Sequence, residues 1–430
     1  MRAPAISAEP QTAGDVRGHF IPVRKRDIIE TLCRQDGLAG EDARAQFRQL
    51  CRLLGSIFHY EYFDELERLR DDYYYFNPEI DPKARFDPDL LERSYRDLLD
   101  AFLGVLEGAN FVEVPHDEIE RAHRERAVVR VNIRTSVDDY RDIRFFRRGR
   151  RHEKAPIKEW FGWRKREIDI EVYDDVVLWV AVKDHDGVNN KGKRSGRHKV
   201  RPGCVLIKYF RHIASADLNA LFPNVEVVLG LRDKLFLGVP AVVGGMTILF
   251  KLASTITVLF LVAGFYLGIS SAVRDDQMAA ALAALSGLVA LGGLVVRQWV
   301  KFQRQSLMYQ KELTDNVYFR NVNNNAGIFD YVIGAAEQQE CKEAFLAYYF
   351  LLTAAQPMTQ AELDDRIEHW LQERFGVDVD FEVDDALAKL ERLGVLKRSG
   401  DKLSVPPLGE ALVRLDGIWD NYFTFAPVPA

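Results

Sequence analysis

Apolar and polar positions alternate with different periods in successive parts of the chain. Three segments carry apolar residues at helical spacing, namely Val23–Arg34, Asp42–Tyr62 and Asp89–Leu106. After Phe111 the period shortens to two, which predicts strands at 128–133, 140–147, 168–173, 176–182 and 204–210. A polar turn is expected at Asp174–Asp175, between the third and fourth of these strands. Helices followed by strands indicate an α+β domain with an antiparallel sheet.

Two long uncharged stretches follow, Leu252–Val273 and Met278–Val296, separated by four residues. As helices they would extend about 33 Å and about 28 Å at ~1.5 Å per residue, close to the ~30 Å hydrocarbon core of a bilayer. A buried helical hairpin in a large globular core can also be apolar all round. The length and proximity of the two stretches favour the membrane, and they predict a two-span transmembrane helical hairpin.

The charges beside this hairpin predict its orientation. Seven cations lie before or after it: Arg232, Lys234, Lys251, Arg297, Lys301, Arg304 and Lys311. The connecting turn holds one cation, Arg274. Cations favour the cytoplasmic side of a membrane, so both termini are expected in the cytoplasm. Leu235–Phe250 is expected to be an interfacial or re-entrant lead-in, or else the start of an earlier first span. Gly264 and Gly268 form a small-xxx-small pair, which would let another helix or another protomer pack closely.

The C-terminal part is predicted to be mostly helical. A capping box at Thr359–Glu362 starts one helix, which Gly376 ends, and a second helix ends at Gly394. A short hairpin is expected within Val395–Val405. This order resembles a winged-helix plan, but residues 318–430 hold 10 Lys/Arg against 19 Asp/Glu, so a protein-interaction role is favoured and no specific nucleic acid is expected.

These patterns give four predicted regions and a fold class. They are a disordered N-terminus (1–18), an α+β cytoplasmic domain (19–231), a membrane hairpin (232–300) and a helical, winged-helix-like domain (301–430). The net charge is −6, and the four cysteines are too far apart for a metal or redox motif. Free thiols agree with a reducing compartment. No catalytic motif, metal site or cofactor site is recognised.

Two polar segments are candidate binding sites. The loop 187–201 carries six cations and no acid: Lys191, Lys193, Arg194, Arg197, Lys199 and Arg201. It is either an anion or lipid head-group site or a solvated loop. Its first residues resemble a P-loop, but Arg194 replaces the required Ser or Thr and a strand follows, so an ATPase is not expected. The second segment, with Asn323, Asn324, Asn325 and Glu340, contacts a partner or ligand, or else forms a helix break.

Several phrases of the chain resemble the transmembrane protein 143 family. They include HFIPVRKRDI (19–28), RPGCVLIKYFRHI (201–213), VDFEVDDALAKLERLGV (379–395) and LDGIWDNYF (415–423). The resemblance implies a two-span membrane protein of unassigned biochemistry, found in bacteria, plants and animal mitochondria, and it supplies no catalytic residues. The N-terminus lacks a transit-like segment, so a bacterial inner membrane is expected.

The combined hypothesis is a non-enzymatic, membrane-anchored interaction or regulatory protein. Its cytoplasmic parts would bind an unknown protein partner or anionic lipids of the bilayer, and a homo-oligomer is left open. The alternative is a membrane-associated enzyme or binding protein that acts on a lipid-linked or phosphorylated ligand through the loop 187–201. A pocket with paired carboxylates beside that loop would favour the alternative.

Overall fold

The structure is a computed structural model. It describes residues 17–80, 86–115, 117–119, 132–135, 140–159, 164–184, 201–222, 225–228 and 318–423, with isolated positions between 260 and 308. The helices are α1 (Lys25–Cys33), α2 (Gly40–Tyr73), α3 (Pro88–Gly108), α4 (Gly327–Leu352), α5 (Gln360–Phe375), α6 (Val383–Arg392) and α7 (Leu408–Asn421). A 3-10 helix spans Ser215–Leu221.

The strands are β1 (Val112–Glu113), β2 (Asn132–Thr135), β3 (Tyr140–Glu159), β4 (Arg164–Val182), β5 (Val205–Ala214), β6 (Val225–Val228), β7 (Asn321–Asn324), β8 (Lys397–Ser399) and β9 (Lys402–Ser404). They form a five-stranded antiparallel sheet in the order β1-β3-β4-β5-β7 and two smaller sheets, β2-β6 and β8-β9. The expected α+β class and antiparallel sheet are therefore present.

The chain forms two compact units. The first unit comprises Met1–Pro115, Asp138–Ser215 and Asn321–Ala430, and the second comprises His116–Val137 and Ala216–Arg320. In the second unit, β2 pairs antiparallel with β6. The five-stranded sheet and the helices α1 to α7 lie in the first unit, which therefore combines N-terminal and C-terminal parts of the chain.

Helix α4 lies at the centre of the first unit. Its first half packs with α3 and one face of the sheet, where Phe329 contacts the ring of Phe102 and lies near the buried Trp179. Its second half, AFLAYYFLL, is apolar all round and buried among α1, α2 and the C-terminal helices. An apolar helix without a polar face has to be enclosed on all sides. The sequence of α4 therefore explains its central position.

The C-terminal elements follow the local signals of the sequence. Thr359 Oγ1 accepts a hydrogen bond from the backbone N–H of Glu362 at 3.3 Å, and Glu362 Oε2 accepts one from the Thr359 N–H at 2.6 Å. The predicted capping box is thus confirmed. Gly376 ends α5 at a φ of +66°, a conformation that glycine adopts without strain. The hairpin β8-β9 pairs with Met358 through a bridge at Leu403.

The helices that the structure describes contradict the predicted membrane hairpin. None of these helices combines the length and the apolarity that crossing a bilayer requires. Most of the two predicted spans lies outside the described residues, and the described Gly268 has a φ of +75° within a turn. The fold class is therefore corrected to α+β. The predictions of an integral membrane protein, of cytoplasmic termini and of a bacterial inner membrane are corrected with it.

Candidate functional site

A kink crosses three neighbouring strands of the five-stranded sheet. Gly149 of β3, Asp174 of β4 and His212 of β5 lie side by side at positions that interrupt the ladder of paired residues. Gly149 has a φ of +67° and His212 a φ of +58°. Non-glycine residues rarely adopt positive φ, although His, Asn and Asp are enriched among the exceptions. The predicted turn at Asp174–Asp175 is therefore wrong, because β4 continues through a kink at this point.

The kink changes which side chains face the same way. In a regular strand, neighbouring side chains point to opposite faces. At the kink, Asp174 and Asp175 line the same pocket, and so do Arg211 and His212. We call this cavity of about 690 Å³ the kink pocket. Its walls are the segment Phe20–Arg24, the kinked parts of β3 to β5, and one side of α4. Small-molecule sites have volumes of roughly 300–1,000 Å³.

Arg148 and Asp175 form a buried ion pair in the wall of the kink pocket. Arg148 is 7 % exposed and Asp175 is 5 % exposed. Asp175 Oδ2 accepts hydrogen bonds from Arg148 Nη2 at 2.6 Å and from Nε at 3.1 Å, while Arg148 Nη1 donates to the Ala109 carbonyl at 3.2 Å. The rings of Phe20 and Phe111 lie 4.4 and 4.7 Å from the guanidinium. These contacts fix the position of the guanidinium before any ligand arrives.

Two more arginines are held by the aspartates of the kink. Arg211 Nε donates to Asp175 Oδ1 at 3.2 Å, and Arg151 forms an ion pair with Asp174. Both arginine side chains are more than half exposed, so their head groups face solvent. Burial, followed by the Asp175 carboxylate, raises the pKa of the neighbouring Tyr209 well above its usual value.

The kink pocket carries an excess of positive charge. Its charged lining residues are Arg24, Arg148, Arg151, Arg211 and Lys342, against Asp174 and Asp175. With Lys342 protonated and His212 neutral, five cations against two anions leave a formal charge of +3. A concave wall with one sign of charge attracts and concentrates ions of the opposite sign. The pocket is therefore suited to anions.

Lys342 is the buried cation of this pocket. It is 4 % exposed, and its Nζ donates to the Ile21 carbonyl at 2.6 Å. Burial lowers its pKa to about 7, with Arg148 and Lys25 acting in the same direction and Glu343 and Cys341 opposing them. Near neutral pH the amine is only partly protonated. An anion beside it would favour the charged form and raise its pKa.

Glu340 and Glu343 join a separate buried cluster around Lys389 of α6. Lys389 Nζ lies 2.8 Å from Glu343, 3.5 Å from Glu340 and 2.5 Å from Asp385. Burial raises the pKa of Glu343 to about 7, and although burial opposes it, the three carboxylates raise that of Lys389. With three carboxylates for one ammonium, the most buried one retains a proton at higher pH than usual. Lys389 itself stays charged.

Glu340 and the asparagines form hydrogen bonds with other residues of the protein. Glu340 Oε1 accepts a hydrogen bond from the Tyr62 hydroxyl at 2.7 Å. Asn325 has a φ of +53°, its N–H donates to the Ile207 carbonyl at 2.8 Å, and its Nδ2 donates to Glu79 Oε1 at 2.7 Å. Asn323 Nδ2 donates to the Gly327 carbonyl at 2.8 Å, while Asn324 is an exposed residue of β7. These asparagines form the connection from β7 into α4.

Only part of the other predicted site residues can be placed. Arg201 Nη2 donates to the carbonyls of Tyr75 at 3.0 Å and Asn77 at 3.3 Å, so it connects the start of β5 to the end of α2. The remaining loop cations, Lys191, Lys193, Arg194, Arg197 and Lys199, lie outside the described residues. The anion contacts predicted for them stay a prediction. Gly264 and Gly268 are among the isolated described positions, where an added Cβ would meet no described atom within 4 Å.

The residues of the kink pocket were not recognised as a site from the sequence. Arg148 and Arg151 belong to the basic run RRGRR, which carries Gly149 at its centre. Asp175 and Lys342 are separated from this run by long stretches of sequence. The only local signal is an unusual one, a glycine within an arginine-rich strand opposite a pair of aspartates. Within the described ranges, no group of three or more His, Cys, Asp or Glu side chains is arranged to hold a metal ion.

Comparison with known proteins finds one family model that matches part of this region. A family model described as a protein of unknown function, DUF3754, matches residues 173–327, which is less than half of the 430-residue chain. The match begins at the kink of β4 and includes Asp174, Asp175, Arg211 and His212. The expected relation to the transmembrane protein 143 family is corrected to this match. No solved structure is significantly similar to the chain.

Proposed function

We propose that this protein binds a small, multiply charged oxyanion in the kink pocket. The observation that carries the proposal is the placement of Arg148, Arg151, Arg211 and Lys342 around one cavity, against two carboxylates among the residues described there. Arginine suits this role because its planar guanidinium donates two parallel hydrogen bonds to phosphate or carboxylate oxygens. This proposal replaces the hypothesis of a membrane-anchored protein.

The three arginines would contribute to anion binding in different ways. Arg148 is immobilised by Asp175, Ala109 and two aromatic rings, so it provides a preorganised charge at the base of the pocket. Arg151 and Arg211 are tethered by one aspartate contact each and have exposed head groups. Because these head groups are exposed, both can contact an anion in the pocket while they keep their aspartate partners. A preorganised group lowers the entropy that binding has to offset.

Lys342 would couple binding to protonation. A bound anion raises the pKa of this amine from about 7, so the complex takes up protons when the free protein is partly deprotonated. Oxyanion affinity is therefore expected to fall as the pH rises above about 7. The charged and titratable neighbours that influence Lys342 are Arg148, Lys25, Glu343 and Cys341. The binding test below leaves all four of these neighbours in place.

Isothermal titration calorimetry with pyrophosphate and inorganic phosphate tests the proposal. Arg211→Ala is expected to weaken pyrophosphate binding by about tenfold or more, because a charge-assisted hydrogen bond contributes roughly 1.5–3 kcal/mol. The matched control is Arg96→Ala, which removes an exposed arginine of α3 outside the pocket. Loss of affinity in Arg211→Ala but not in the control supports the site. Equal affinities in both variants, or an absence of binding to the wild type, would refute it.

A further inference from the structure

A second cavity lies among the helices of the first unit. It has a volume of about 810 Å³ and is formed by α1, α2, α4 and α7. The buried Cys51 and Phe345 lie at its base, and the half-buried Ile29 and Tyr60 line its walls. We call it the helical pocket. Its lining combines apolar and aromatic residues with charged residues of α1 and α2.

Aromatic side chains remain exposed at the mouth of the helical pocket. Phe63 is 51 % exposed and Trp419 is 41 % exposed. The ring of Tyr60 lies 6.3 Å from Trp419 and 5.3 Å from Phe423, which is also exposed. Apolar surface in water is unfavourable by roughly 25 cal/mol per Å². A cluster of exposed aromatic residues around a cavity therefore indicates a surface that an apolar ligand can cover.

The rim of the same pocket is cationic. It carries Lys25, Arg26, Arg48 and Arg52 against Glu30 and Glu337, which leaves a formal charge of +2 with His59 neutral. Arg48 pairs with Glu30 at 3.2 Å, and Lys25 pairs with Glu337 at 3.5 Å. Among the described residues, no carboxylate lies within ion-pairing distance of Arg26 or Arg52. Arg26 nevertheless acts on Glu30, whose pKa it helps to lower, so Arg52 is the cation left for an anionic head group.

We propose that the helical pocket binds an alkyl carboxylate. The apolar base and the aromatic mouth would bind the hydrocarbon chain, and Arg52 would bind the carboxylate. A cationic amphiphile of the same length would fit the base but would be repelled by the rim. A small hydrophilic oxyanion would form an ion pair with the rim but would leave the apolar base in contact with water. Only a ligand with both properties uses the whole cavity.

The length of the ligand's hydrocarbon chain should determine the affinity. Each buried methylene strengthens binding by roughly fourfold, so decanoate should bind about fifteenfold more tightly than octanoate. This dependence should end once the chain is longer than the cavity. Charge should act independently of length. Neutralising the cation that holds the head group should reduce affinity by about tenfold or more for every chain length.

The test uses calorimetry of the full chain with octanoate, decanoate and decyltrimethylammonium below their micelle concentrations. Gly55→Leu places a side chain inside the pocket, where an added Cβ would meet only Lys25 Nζ at 3.7 Å and Cys341 Sγ at 3.8 Å among the described atoms. These are ordinary contacts, and leucine favours a helix more than glycine does. The variant should therefore fold and lose decanoate binding by at least tenfold. Arg52→Gln tests the head group.

The controls are Gly104→Leu in α3, where an added Cβ meets no described heavy atom within 4 Å, and Arg96→Gln, also in α3. Normal binding by both controls, with weak binding by Gly55→Leu and Arg52→Gln, supports the proposal. Decanoate affinity unchanged by Gly55→Leu or by Arg52→Gln would overturn it, and so would decyltrimethylammonium binding as tightly as decanoate. Pyrophosphate affinity should be the same in wild type and Gly55→Leu, which separates this site from the kink pocket.

Discussion

Replacing Glu343 with glutamine is expected to change how the stability of the protein depends on pH. Glu343 is 2 % exposed, and it accepts hydrogen bonds from Lys389 Nζ at 2.8 Å and from Asn110 Nδ2 at 3.4 Å. Burial raises its pKa from 4.5 to about 7, with Asp385 and Glu382 acting in the same direction and Lys389 opposing them. Glutamine keeps the shape of the side chain and removes its titration.

The sign of the effect follows from proton binding. Between pH 4.5 and about 7 the folded protein holds a proton on Glu343 that the unfolded chain has released. The resulting stabilisation is fully present below pH 4.5 and is lost as the pH rises through about 7. At roughly 1.4 kcal/mol for each unit of pKa, the total change is about 3 kcal/mol. The wild type should lose this amount relative to Glu343→Gln across the interval.

Urea denaturation followed by tryptophan fluorescence and circular dichroism measures the difference. Free energies of unfolding are compared for wild type and Glu343→Gln at several pH values within the interval. Glu362→Gln is a control of opposite sign, because hydrogen bonds from Thr359 and Lys402 lower the pKa of Glu362 to about 2. Its contribution grows as the pH rises from about 2 to 4.5 and is constant above that, so this control is also measured below pH 4.5. The free energy of unfolding of the wild type minus that of Glu343→Gln should fall as the pH rises. A value that stays constant or rises with pH would refute the reasoning.

Three further substitutions test the kink, the connection into α4 and the buried ion pair, each by urea denaturation. Gly149→Ala should lower the free energy of unfolding by about 1–3 kcal/mol, because alanine is strained at its positive φ and its Cβ would overlap Asp174; equal stability would contradict the kink. Asn325→Ala should cost about 1–2 kcal/mol, since it removes a hydrogen bond to Glu79 and leaves a positive φ. Arg148→Met should cost about 3–5 kcal/mol by leaving the buried Asp175 with the exposed Arg211 as its one cationic partner among the described residues. Adding Asp175→Asn should recover part of that loss, and no recovery would argue against the pair.

Local signals in the sequence predict the fold best where the cause is itself local. The capping box of α5 uses two residues three positions apart, and Gly376 ends the same helix at a positive φ. The kink in β4 has a distant cause. Asp174 lies opposite Gly149 of the neighbouring strand, so a polar pair within one strand looks like a turn when that strand is read alone.

The buried charges of α4 were difficult to predict for the same reason. Lys342 and Glu343 are adjacent in the chain, but their partners are the Ile21 carbonyl and Lys389. A helix that buries charge on two different sides has no single polar face for a periodicity argument to find. The prediction of membrane spans rests on the length of the apolar runs and on their lack of charge. Such a criterion cannot distinguish a bilayer from another apolar environment.

The most direct measurement of the central claim is calorimetry of sulfate binding across the pH range around the pKa of Lys342. Sulfate keeps its charge in this range, so any proton taken up comes to the protein. In buffers with different ionisation enthalpies, the wild type should bind sulfate with proton uptake above about pH 7, and Lys342→Met should bind without uptake. Binding that needs neither Lys342 nor Arg211, or that releases protons in the wild type, would contradict the account.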